Sequence, residues 1–466
     1  MLNIDSRINH EVVQINREAK TVQVRDLKSG ETYEESYDKL VLSPGAAPVV
    51  PPLPGVDLPG VFTLRNLPDM DKIKAFVDQE KPARAVVVGG GFIGLEIAEN
   101  LQHRGVQVTL IEMLNQVMAP IDYEMAALVH QHLTFKRIRL ALGDGLKSIA
   151  KGESGWLQVQ TASDRKVDAQ MVVLSIGVRP ENQLAKEAGL DLGLRGTIKT
   201  NTHMQTSDTD IYAVGDAVEL THQITGEQTT LALAGPASRQ GRVAADHITG
   251  RDAAFNGVIG TSVVKVFDLT VASVGLNTSQ LDQARLPYQK VIVHASNHAG
   301  YYPGAAPMAF KLLFSPEGKI YGAQAVGLDG VEKRIDVIAT AILGGMTVYD
   351  LEELELAYAP PFSSSRDPVN IIGFTAANLL RGDAKVMHWD QVNGLDRNTV
   401  TILDVRVPEE LALGMIDGAV NIPLTQLRQK LNEIPKGRPV LAYCQTGQRS
   451  YFAARALNQL GYDAYN

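Results

Sequence analysis

The sequence predicts an α/β protein assembled from several units, and three observations support this fold class. Residues 84–112 follow the order strand, glycine-rich turn, helix and strand, which is typical of a βαβ unit on a parallel sheet. A second strand–loop–helix pattern surrounds Cys444, near the end of the sequence. The length of 466 residues provides for about three domains of ~150 residues each.

Composition and charge narrow the class of protein. Apolar residues make up 45% and charged residues 21% of the chain, as in ordinary soluble globular proteins. The formal net charge is -8 and Lys and Arg form no continuous run, so we expect no nucleic-acid partner. No apolar stretch reaches the ~18 residues of a membrane span, and the first residues lack the apolar core of a signal peptide. Cys444 is the single cysteine, so no intrachain disulfide can form. We therefore expect a cytoplasmic protein, and we assign no metal site.

The first elements are predicted to be short strands. Residues 5–42 alternate polar and apolar side chains around a turn at Gly30, which indicates antiparallel strands. Lys39–Leu42 is a short apolar strand that ends at Ser43-Pro44-Gly45, a turn sequence. A helical pattern follows at Met70–Gln79.

The glycine-rich turn predicts a dinucleotide site. Gly89, Gly91 and Gly94 form the pattern Gly-x-Gly-x-x-Gly between a strand and a helix. The first glycine permits the tight turn, the second lets the backbone approach a pyrophosphate, and the third lets the helix pack on the strand. The pyrophosphate then lies on the free N–H groups of the helix N-terminus. The helix carries apolar residues four apart, which fall on one face: Ile93, Ile97 and Leu101.

Glu112 ends the next predicted strand, near the spacing expected for a ribose-binding carboxylate. A carboxylate at this place accepts hydrogen bonds from both ribose hydroxyls and repels a 2′-phosphate. The sequence therefore favours NADH over NADPH as the nicotinamide cofactor. The alternative is an ordinary tight turn followed by an acidic residue that has no such role.

A third block, residues 253–380, mixes strand and helix patterns. The strand patterns are Val263–Phe267, Val291–His294 and Phe310–Phe314, and the helical ones are Ile335–Leu343 and Val369–Leu380. Residues 381–384 are predicted to form a linker. A small α/β pattern follows, with strands at Val400–Val405 and Pro439–Tyr443 and helices at Leu427–Leu431 and Ser450–Leu460.

Cys444 begins a loop that suits a reactive thiolate. The stretch Cys444–Arg449 lies between a strand and a helix, so backbone N–H groups, the helix N-terminus and Arg449 can stabilise the thiolate and lower the pKa of the thiol. Such a thiolate can attack a sulfane sulfur and hold it as a persulfide. Four residues between Cys and Arg make a cradle small enough for a sulfur atom rather than a phosphate. The alternative is a buried, inert thiol.

Three stretches resemble the FAD-contacting segments of flavoprotein reductases that have two dinucleotide-binding domains. They are Leu42–Ala46, which contains Ser43 and Gly45, Ser175–Pro180, which contains Gly177, and Thr206–Asp216, which ends in Gly215-Asp216. The resemblance implies FAD as a cofactor. It also implies that Asp216 reaches the ribityl and pyrophosphate groups and that Gly215 leaves room for them.

The order of these pieces resembles one branch of the pyridine nucleotide-disulfide oxidoreductase superfamily, the coenzyme A disulfide reductases and NADH-dependent persulfide (polysulfide) reductases. The motifs that carry this resemblance are Ala234–Gly241, Tyr301–Gly304 and Tyr358–Pro361. In that family the tyrosines of the last two motifs, here Tyr301, Tyr302 and Tyr358, are presented to the partner subunit's active site. The resemblance therefore implies a homodimer, although tyrosines are more often packing residues.

The last segment resembles a rhodanese domain. The matching stretches are Leu403–Arg406, Gly418–Pro423 and Cys444–Arg449. The full resemblance implies a flavoprotein reductase fold with two dinucleotide-binding domains, an α+β dimerisation domain and a C-terminal α/β rhodanese domain. Asp404 and Arg406 are expected to support the fold near the loop.

The family pattern also predicts domain boundaries. We expect the first part of the FAD domain at residues 1–66, the NAD domain at 67–180, the second part of the FAD domain at 181–252, the dimerisation domain at 253–382 and the rhodanese domain at 383–466. The family starts with its own glycine fingerprint and carries a cysteine that faces the flavin. This sequence has neither before Gly89, so we expect a fragment, with the first FAD part and the rhodanese domain both incomplete.

The expected function is FAD-dependent reduction by NADH of a small-molecule sulfur substrate. The candidates are a persulfide, a polysulfide or coenzyme A disulfide, with Cys444 as sulfur carrier. One alternative is an NADH oxidase that passes electrons to oxygen. The rhodanese-like segment argues against it, because an oxidase has no use for a sulfur carrier. Another is a sulfurtransferase carried on an inactive flavoprotein scaffold.

Overall fold

The chain folds as the predicted mixture of helices and sheets, and the computed structural model describes residues 4–153, 155–392 and 394–466. The described residues fall into two units, one within residues 4–119 and 130–260 and the other within residues 120–129 and 261–466. Among the described residues, no helix is both long enough and apolar enough to cross a membrane.

The described elements of the first 260 residues start with six short strands, after which helices and further strands are mixed. The strands are β1 (His10–Asn16), β2 (Thr21–Asp26), β3 (Thr32–Ser36), β4 (Leu40–Leu42), β5 (Ala46–Pro48), β6 (Val61–Thr63), β7 (Arg84–Val88), β8 (Gln107–Glu112), β9 (Arg139–Leu142), β10 (Leu146–Lys151), β11 (Leu157–Thr161), β12 (Lys166–Ala169), β13 (Met171–Leu174), β14 (Val178–Pro180), β15 (Ile211–Ala213), β16 (Leu220–Thr221) and β17 (Gln228–Thr229). The helices are α1 (Leu67–Glu80), α2 (Phe92–His103), α3 (Tyr123–Phe135), α4 (Gln183–Glu187) and α5 (Ala234–Ile248), with a 3-10 turn at Leu194–Gly196.

A five-stranded parallel sheet holds the predicted βαβ unit, in the order β6-β13-β7-β8-β9. The apolar run of β7 is buried from its second residue onward, as expected for a strand covered on both faces. Helix α2 packs on β7 and β8 through Gly94, Leu95, Ala98 and Leu101. Of the three apolar residues on the predicted face, Leu101 is buried, Ile97 is half-buried and Ile93 is 37% exposed.

Two pairs of short strands bring distant loops together within this unit. Strand β4 pairs in parallel with β15, and Leu42 lies opposite Ala213. Residues 43–45 and 214–216 therefore leave the same edge of that pair. Strand β5 pairs in antiparallel fashion with β14, and the N–H of Val49 donates to the carbonyl of Gly177 at 2.9 Å.

The second unit contains a second set of sheets and helices. The strands are β18 (Ser262–Val266), β19 (Leu269–Gly275), β20 (Gln289–Ser296), β21 (Pro307–Phe314), β22 (Ile320–Gly327), β23 (Thr401–Asp404), β24 (Val420–Asn421), β25 (Val440–Tyr443) and β26 (Ala464–Tyr465). The helices are α6 (Thr278–Gln283), α7 (Val331–Leu343), α8 (Val348–Glu353), α9 (Pro368–Leu380), α10 (Trp389–Val392) and α11 (Gln448–Gln459), with 3-10 turns at Pro408–Leu413, Leu424–Gln429 and Leu431–Glu433.

A five-stranded antiparallel sheet, in the order β18-β19-β22-β21-β20, forms the first part of this unit, and α7 and α9 pack on it. Lys311 on β21 is fully buried, and its Nζ lies 2.5 Å from both Asp122 Oδ2 and Glu124 Oε1. A buried ammonium group is costly unless it is paired. These contacts therefore fasten residues 120–129 to the sheet of their own unit.

A four-stranded parallel sheet, in the order β24-β23-β25-β26, forms the last part. One apolar core of this part joins the sheet to α11 and to the segment that contains Leu427. The predicted helix at Leu427–Leu431 is instead divided between two 3-10 turns. Cys444 follows β25 directly, at the carboxyl edge of this sheet.

Candidate active site

The glycines of the nucleotide loop have separate structural reasons. A Cβ atom at Gly89 would lie 2.2 Å from the carbonyl oxygen of Ser175, and one at Gly94 would lie 1.9 Å from that of Gly89. These two glycines are therefore required by the protein's own packing. A Cβ atom at Gly91 would meet nothing within 4 Å, so its space is open to a ligand.

The groups around Gly91 fit a nucleotide pyrophosphate. Gly91 is the N-cap of α2, and no side chain caps the helix there, which leaves N–H donors for an anion. The hydroxyl of Ser175 is buried and has no hydrogen-bond partner among the described residues. Buried polar groups normally have partners, so both observations fit a bound nicotinamide nucleotide.

Glu112 lies beside this loop. One oxygen of its carboxylate accepts the N–H of Gly90 at 2.7 Å, and the other accepts the N–H of Leu114 at 2.8 Å. Each carboxylate oxygen has a second lone pair, so the group can fasten the loop and still accept from a sugar hydroxyl. The first of these two roles was not predicted from the sequence.

Four of the residues predicted to contact the flavin follow the carboxyl ends of two paired strands: Ser43 and Gly45 after β4, and Gly215 and Asp216 after β15. Gly215 has a φ of +84°, and its N–H donates to Gln240 Oε1 on α5 at 2.7 Å. The Nε2 atom of Gln240 is buried and has no hydrogen-bond partner among the described residues. Burial raises the pKa of Asp216 above its ordinary value. These polar groups fit the hydroxyl and phosphate groups of FAD.

The other residues predicted to contact the flavin have free space around their backbone. Ser43 is exposed, and a Cβ atom at Gly45 or Gly177 would meet nothing within 4 Å. The carbonyl of Gly45 accepts the N–H of Glu181 at 3.0 Å, which ties the first of these turns to the segment after β14.

The three predicted tyrosines lie on the surface of the second unit. The hydroxyls of Tyr301 and Tyr358 are 3.2 Å apart, although 57 residues separate them in sequence. Their side chains are 78% and 48% exposed, and the hydrogen bond to Tyr301 raises the pKa of Tyr358. Tyr302 is 42% exposed and contacts the ring of His298 edge to face. An exposed pair of phenol hydroxyls can donate a hydrogen bond to an incoming group.

Cys444 lies in a loop whose donors point to its sulfur. The N–H of Gly447 is 3.2 Å from Cys444 Sγ and the hydroxyl of Ser450 is 3.5 Å from it. Burial raises the pKa of the Cys444 thiol, but these donors and the N–H groups of Thr446 and Ser450 outweigh burial, so the pKa lies below its ordinary value. The predicted thiolate cradle is thus present.

Two ion pairs support the cradle. Arg406 Nη2 lies 2.7 Å from Asp404 Oδ2 and 2.7 Å from the carbonyl of Gly414, so this pair holds the loop before β24. Arg449 interacts with Cys444, but both of its terminal nitrogens bind Glu410, at 2.6 and 2.7 Å. The sequence indicated that Arg449 faces the thiol and gave no sign of Glu410.

Sequence reasoning missed three polar groups at these sites. Gln240 lies inside Ala234–Gly241, a stretch that the sequence analysis used only as a family motif. Ser450 directly follows Arg449, the residue that was expected to stabilise the thiolate. Glu410 is 39 residues from Arg449 and has no local signal, because only the fold brings the two together.

Family models match three parts of the chain. Residues 2–241 match the pyridine nucleotide-disulphide oxidoreductases, residues 261–368 match the dimerisation domain of those enzymes, and residues 390–466 match the rhodanese-like domain. The dimerisation-domain match suggests a homodimer.

Known relatives carry related names. A coenzyme A disulfide reductase of Staphylococcus haemolyticus is 36% identical over 81% of this chain and 84% of its own length. The structure of reduced Bacillus anthracis CoADR-RHD has a TM-score of 0.96 and 51% identity, over 100% of this chain and 83% of that one. An NAD-dependent persulfide reductase of A. fulgidus has a TM-score of 0.92 and 38% identity, over 98% of this chain and 83% of that one.

These similarities confirm the predicted fold class and the predicted kind of enzyme. The family implies FAD and a nicotinamide nucleotide as cofactors, and both fit the polar groups described above. The chain therefore belongs to the pyridine nucleotide-disulphide oxidoreductases, as an oxidoreductase of the coenzyme A disulfide reductase type that carries a rhodanese-like domain.

Proposed function

We propose that this chain reduces sulfur–sulfur bonds with NADH, and that its substrate is a coenzyme A persulfide, a polysulfide or coenzyme A disulfide. The observation that carries the proposal is the Cys444 thiol, whose pKa is lowered by a loop of donors, in the same chain as the nucleotide loop at Gly89–Gly94. A thiolate of this kind accepts sulfane sulfur, and a nicotinamide site supplies reducing equivalents. Relatives with both parts are named CoADR-RHD and persulfide reductase.

We assign the parts of the chain as follows. Residues 67–180 bind the nicotinamide nucleotide, residues 1–66 and 181–252 bind FAD, residues 253–382 form the homodimer interface, and residues 383–466 carry sulfur. Gly91 and the start of α2 receive the pyrophosphate. Glu112 accepts from the ribose hydroxyls, and its charge disfavours the 2′-phosphate of NADPH.

The sulfur-carrying step belongs to Cys444. Its thiolate attacks the outer sulfur of a persulfide, a new S–S bond forms to Cys444, and the old S–S bond breaks with its electron pair on the departing thiolate. The N–H of Gly447 and the hydroxyl of Ser450, which hold the thiolate, are placed to hold the terminal sulfur of the product. The departing thiolate takes a proton from solvent.

The reductive step uses the remaining residues. A bound FAD would supply the two-electron chemistry that links NADH to the S–S bond of the substrate. Asp216 and Gln240 orient its sugar and phosphate groups. In a homodimer, Tyr301 and Tyr358 of one subunit donate a hydrogen bond to the sulfur that leaves in the partner's site.

The test is an anaerobic assay of the chain supplied with FAD and NADH, before and after addition of coenzyme A persulfide. We expect NADH to bleach the flavin absorbance, and the persulfide to restore it with release of sulfide. Cys444→Ser should keep the bleaching by NADH and lose the persulfide on the rhodanese-like domain, seen by mass spectrometry. If NADH does not bleach the flavin, the proposed reductase activity is wrong.

A second candidate is an NADH oxidase, because a relative of that name in Methanocaldococcus jannaschii is 36% identical over 81% of this chain. We favour the reductase because two structures that align over 100% and 98% of the chain, and so extend into the rhodanese-like domain, carry sulfur-related names. The water-forming NADH oxidase of Lactobacillus brevis aligns over 80%. Oxygen consumption with NADH alone, unchanged by persulfide, would favour the oxidase. Persulfide formation on Cys444 without any oxidation of NADH would favour a sulfurtransferase on an inactive scaffold.

A further inference from the structure

The positive charge beside Cys444 is neutralised by a carboxylate from a distant segment. Arg449 is the one charged residue in the stretch from Cys444 to Ser450. Its two terminal nitrogens bind both carboxylate oxygens of Glu410, a bidentate arrangement that is strong and directional. Arg449 lowers the pKa of Glu410 to about 2, so the carboxylate stays ionised at neutral pH.

Glu410 is also held independently of Arg449. Its Oε2 atom accepts the N–H of Val407 at 3.1 Å, and Val407 directly precedes the 3-10 turn that contains Glu410. The neighbouring Arg406 fixes that turn through the carbonyl of Gly414. The carboxylate therefore stands at a set place beside the cradle.

This arrangement has an electrostatic consequence for the donor of sulfur. The side chains of Arg449 and Glu410 are 34% and 25% exposed, so solvent screens their charges only in part. Because the charges of Arg449 and Glu410 cancel, the ionised Cys444 gives the site a net negative charge. A donor with two negative charges is repelled more strongly than a donor with one.

We propose that Glu410 is a specificity-determining residue, which makes Cys444 accept sulfur from singly charged or neutral donors and discriminate against doubly charged ones such as thiosulfate. The proposal rests on the sulfur-carrying function of Cys444 and adds the charge class of its donor. Without Glu410, the free Arg449 would attract a dianion.

A matched pair of donors isolates charge from chemistry. Thiosulfate is a dianion and methanethiosulfonate is a monoanion, and each has a terminal sulfur bound to an oxidised sulfur. In both reactions the thiolate of Cys444 bonds to the terminal sulfur and the S–S bond breaks. Sulfite leaves in the first case and methanesulfinate in the second, each with the bonding electron pair.

The experiment compares kcat/KM for the two donors, with cyanide as the acceptor, in the full chain and in Glu410→Gln. We expect the wild type to prefer methanethiosulfonate, and Glu410→Gln to raise the relative kcat/KM for thiosulfate by about tenfold. Glu410→Asp, which keeps the charge, should keep the wild-type preference. Glu409→Gln, at the exposed neighbour, should change the ratio less than about twofold.

A purely structural role for Glu410 predicts a different result. Glu410→Gln would then slow both donors equally, and that outcome would overturn the proposal. If Glu410→Gln does not fold, the wild type decides alone: high salt should weaken the preference for the monoanion, and a preference insensitive to salt overturns the proposal. Failure of Cys444 to gain a sulfur from either donor, seen by mass, would instead overturn its carrier function.

Discussion

The Nδ1 atom of His294 lies 3.2 Å from the carbonyl oxygen of Thr446, so β20 contacts the loop that carries Cys444. A carbonyl oxygen only accepts, which means that Nδ1 carries the hydrogen. Burial lowers the pKa of His294, and the bond to Thr446 offsets this in part. The antiparallel sheet thus helps to hold the thiolate cradle in place.

Removal of this contact should loosen the cradle. We expect His294→Ala to speed hydrogen exchange of the amides of residues 444–450 by about threefold to tenfold, since one hydrogen bond contributes ~1 kcal/mol. His294→Asn, whose side-chain amide can donate to the same carbonyl, should stay near the wild type. Equal exchange in all three proteins would show that the contact does not restrain the loop.

The glycine loop offers a pair of substitutions with opposite effects. Gly94→Ala should lower the midpoint of thermal unfolding strongly, because its Cβ would lie 1.9 Å from the carbonyl of Gly89. Gly91→Ala should leave that midpoint unchanged, because its Cβ meets nothing within 4 Å and its φ is -81°. The same Gly91→Ala change should weaken NADH binding about tenfold or more, measured by fluorescence titration. An NADH affinity that is unchanged in Gly91→Ala would show that the pyrophosphate does not bind at Gly91.

Glu112 should set the choice of nucleotide. Glu112→Gln removes the charge and keeps an acceptor for one of the two N–H groups, of Gly90 and Leu114, that the carboxylate now holds. We expect kcat/KM for NADPH, relative to that for NADH, to rise about tenfold. Glu96→Gln, an exposed change on α2, is the control and should not alter the ratio. A wild type that uses the two nucleotides equally would refute the role given to Glu112.

The pKa of Cys444 can be read from the pH dependence of its alkylation by iodoacetamide. The midpoint should lie below that of an ordinary cysteine, because the donors around Sγ outweigh burial. Ser450→Ala removes one of these donors and should raise the midpoint. Alkylation at neutral pH should then slow by about threefold to fivefold, since one hydrogen bond contributes ~1 kcal/mol. Thr425→Ala, at an exposed place on a 3-10 turn of the same domain, is the control. A midpoint unaffected by Ser450→Ala would contradict the hydrogen bond.

The buried Lys311 should contribute strongly to stability. Lys311→Met leaves Asp122 and Glu124 without the cation that lies 2.5 Å from each of them, and removal of one partner of a buried pair costs about 3–5 kcal/mol. We expect a lower midpoint of urea unfolding, while Lys333→Met, at an exposed place on α7, should have little effect. Lys311 also lowers the pKa of Asp122 against the effect of burial. That part of the stability is present above the ordinary pKa of a carboxyl group and is lost as the pH falls through the lowered value.

Much of the fold could be predicted because its strongest signals are local. The run before Gly89 forms β7, the apolar stretch Phe310–Phe314 lies within β21, and the stretch from Ile335 lies within α7, since continuous or periodic apolar residues determine burial directly. The prediction was wrong where neighbours decide the packing. The predicted helix at Leu427–Leu431 is divided between two 3-10 turns.

The sequence by itself determined the reactive groups: the glycine loop, the acidic residue after it, and a single thiol between a strand and a helix. Their chemistry depends on short stretches of backbone, which the order of residues specifies. Only the tertiary structure decided the long-range pairs, such as Tyr301 with Tyr358 and Glu410 with Arg449. Partners 57 and 39 residues apart leave no periodic trace in the sequence, because the sheets and turns between them bring them together.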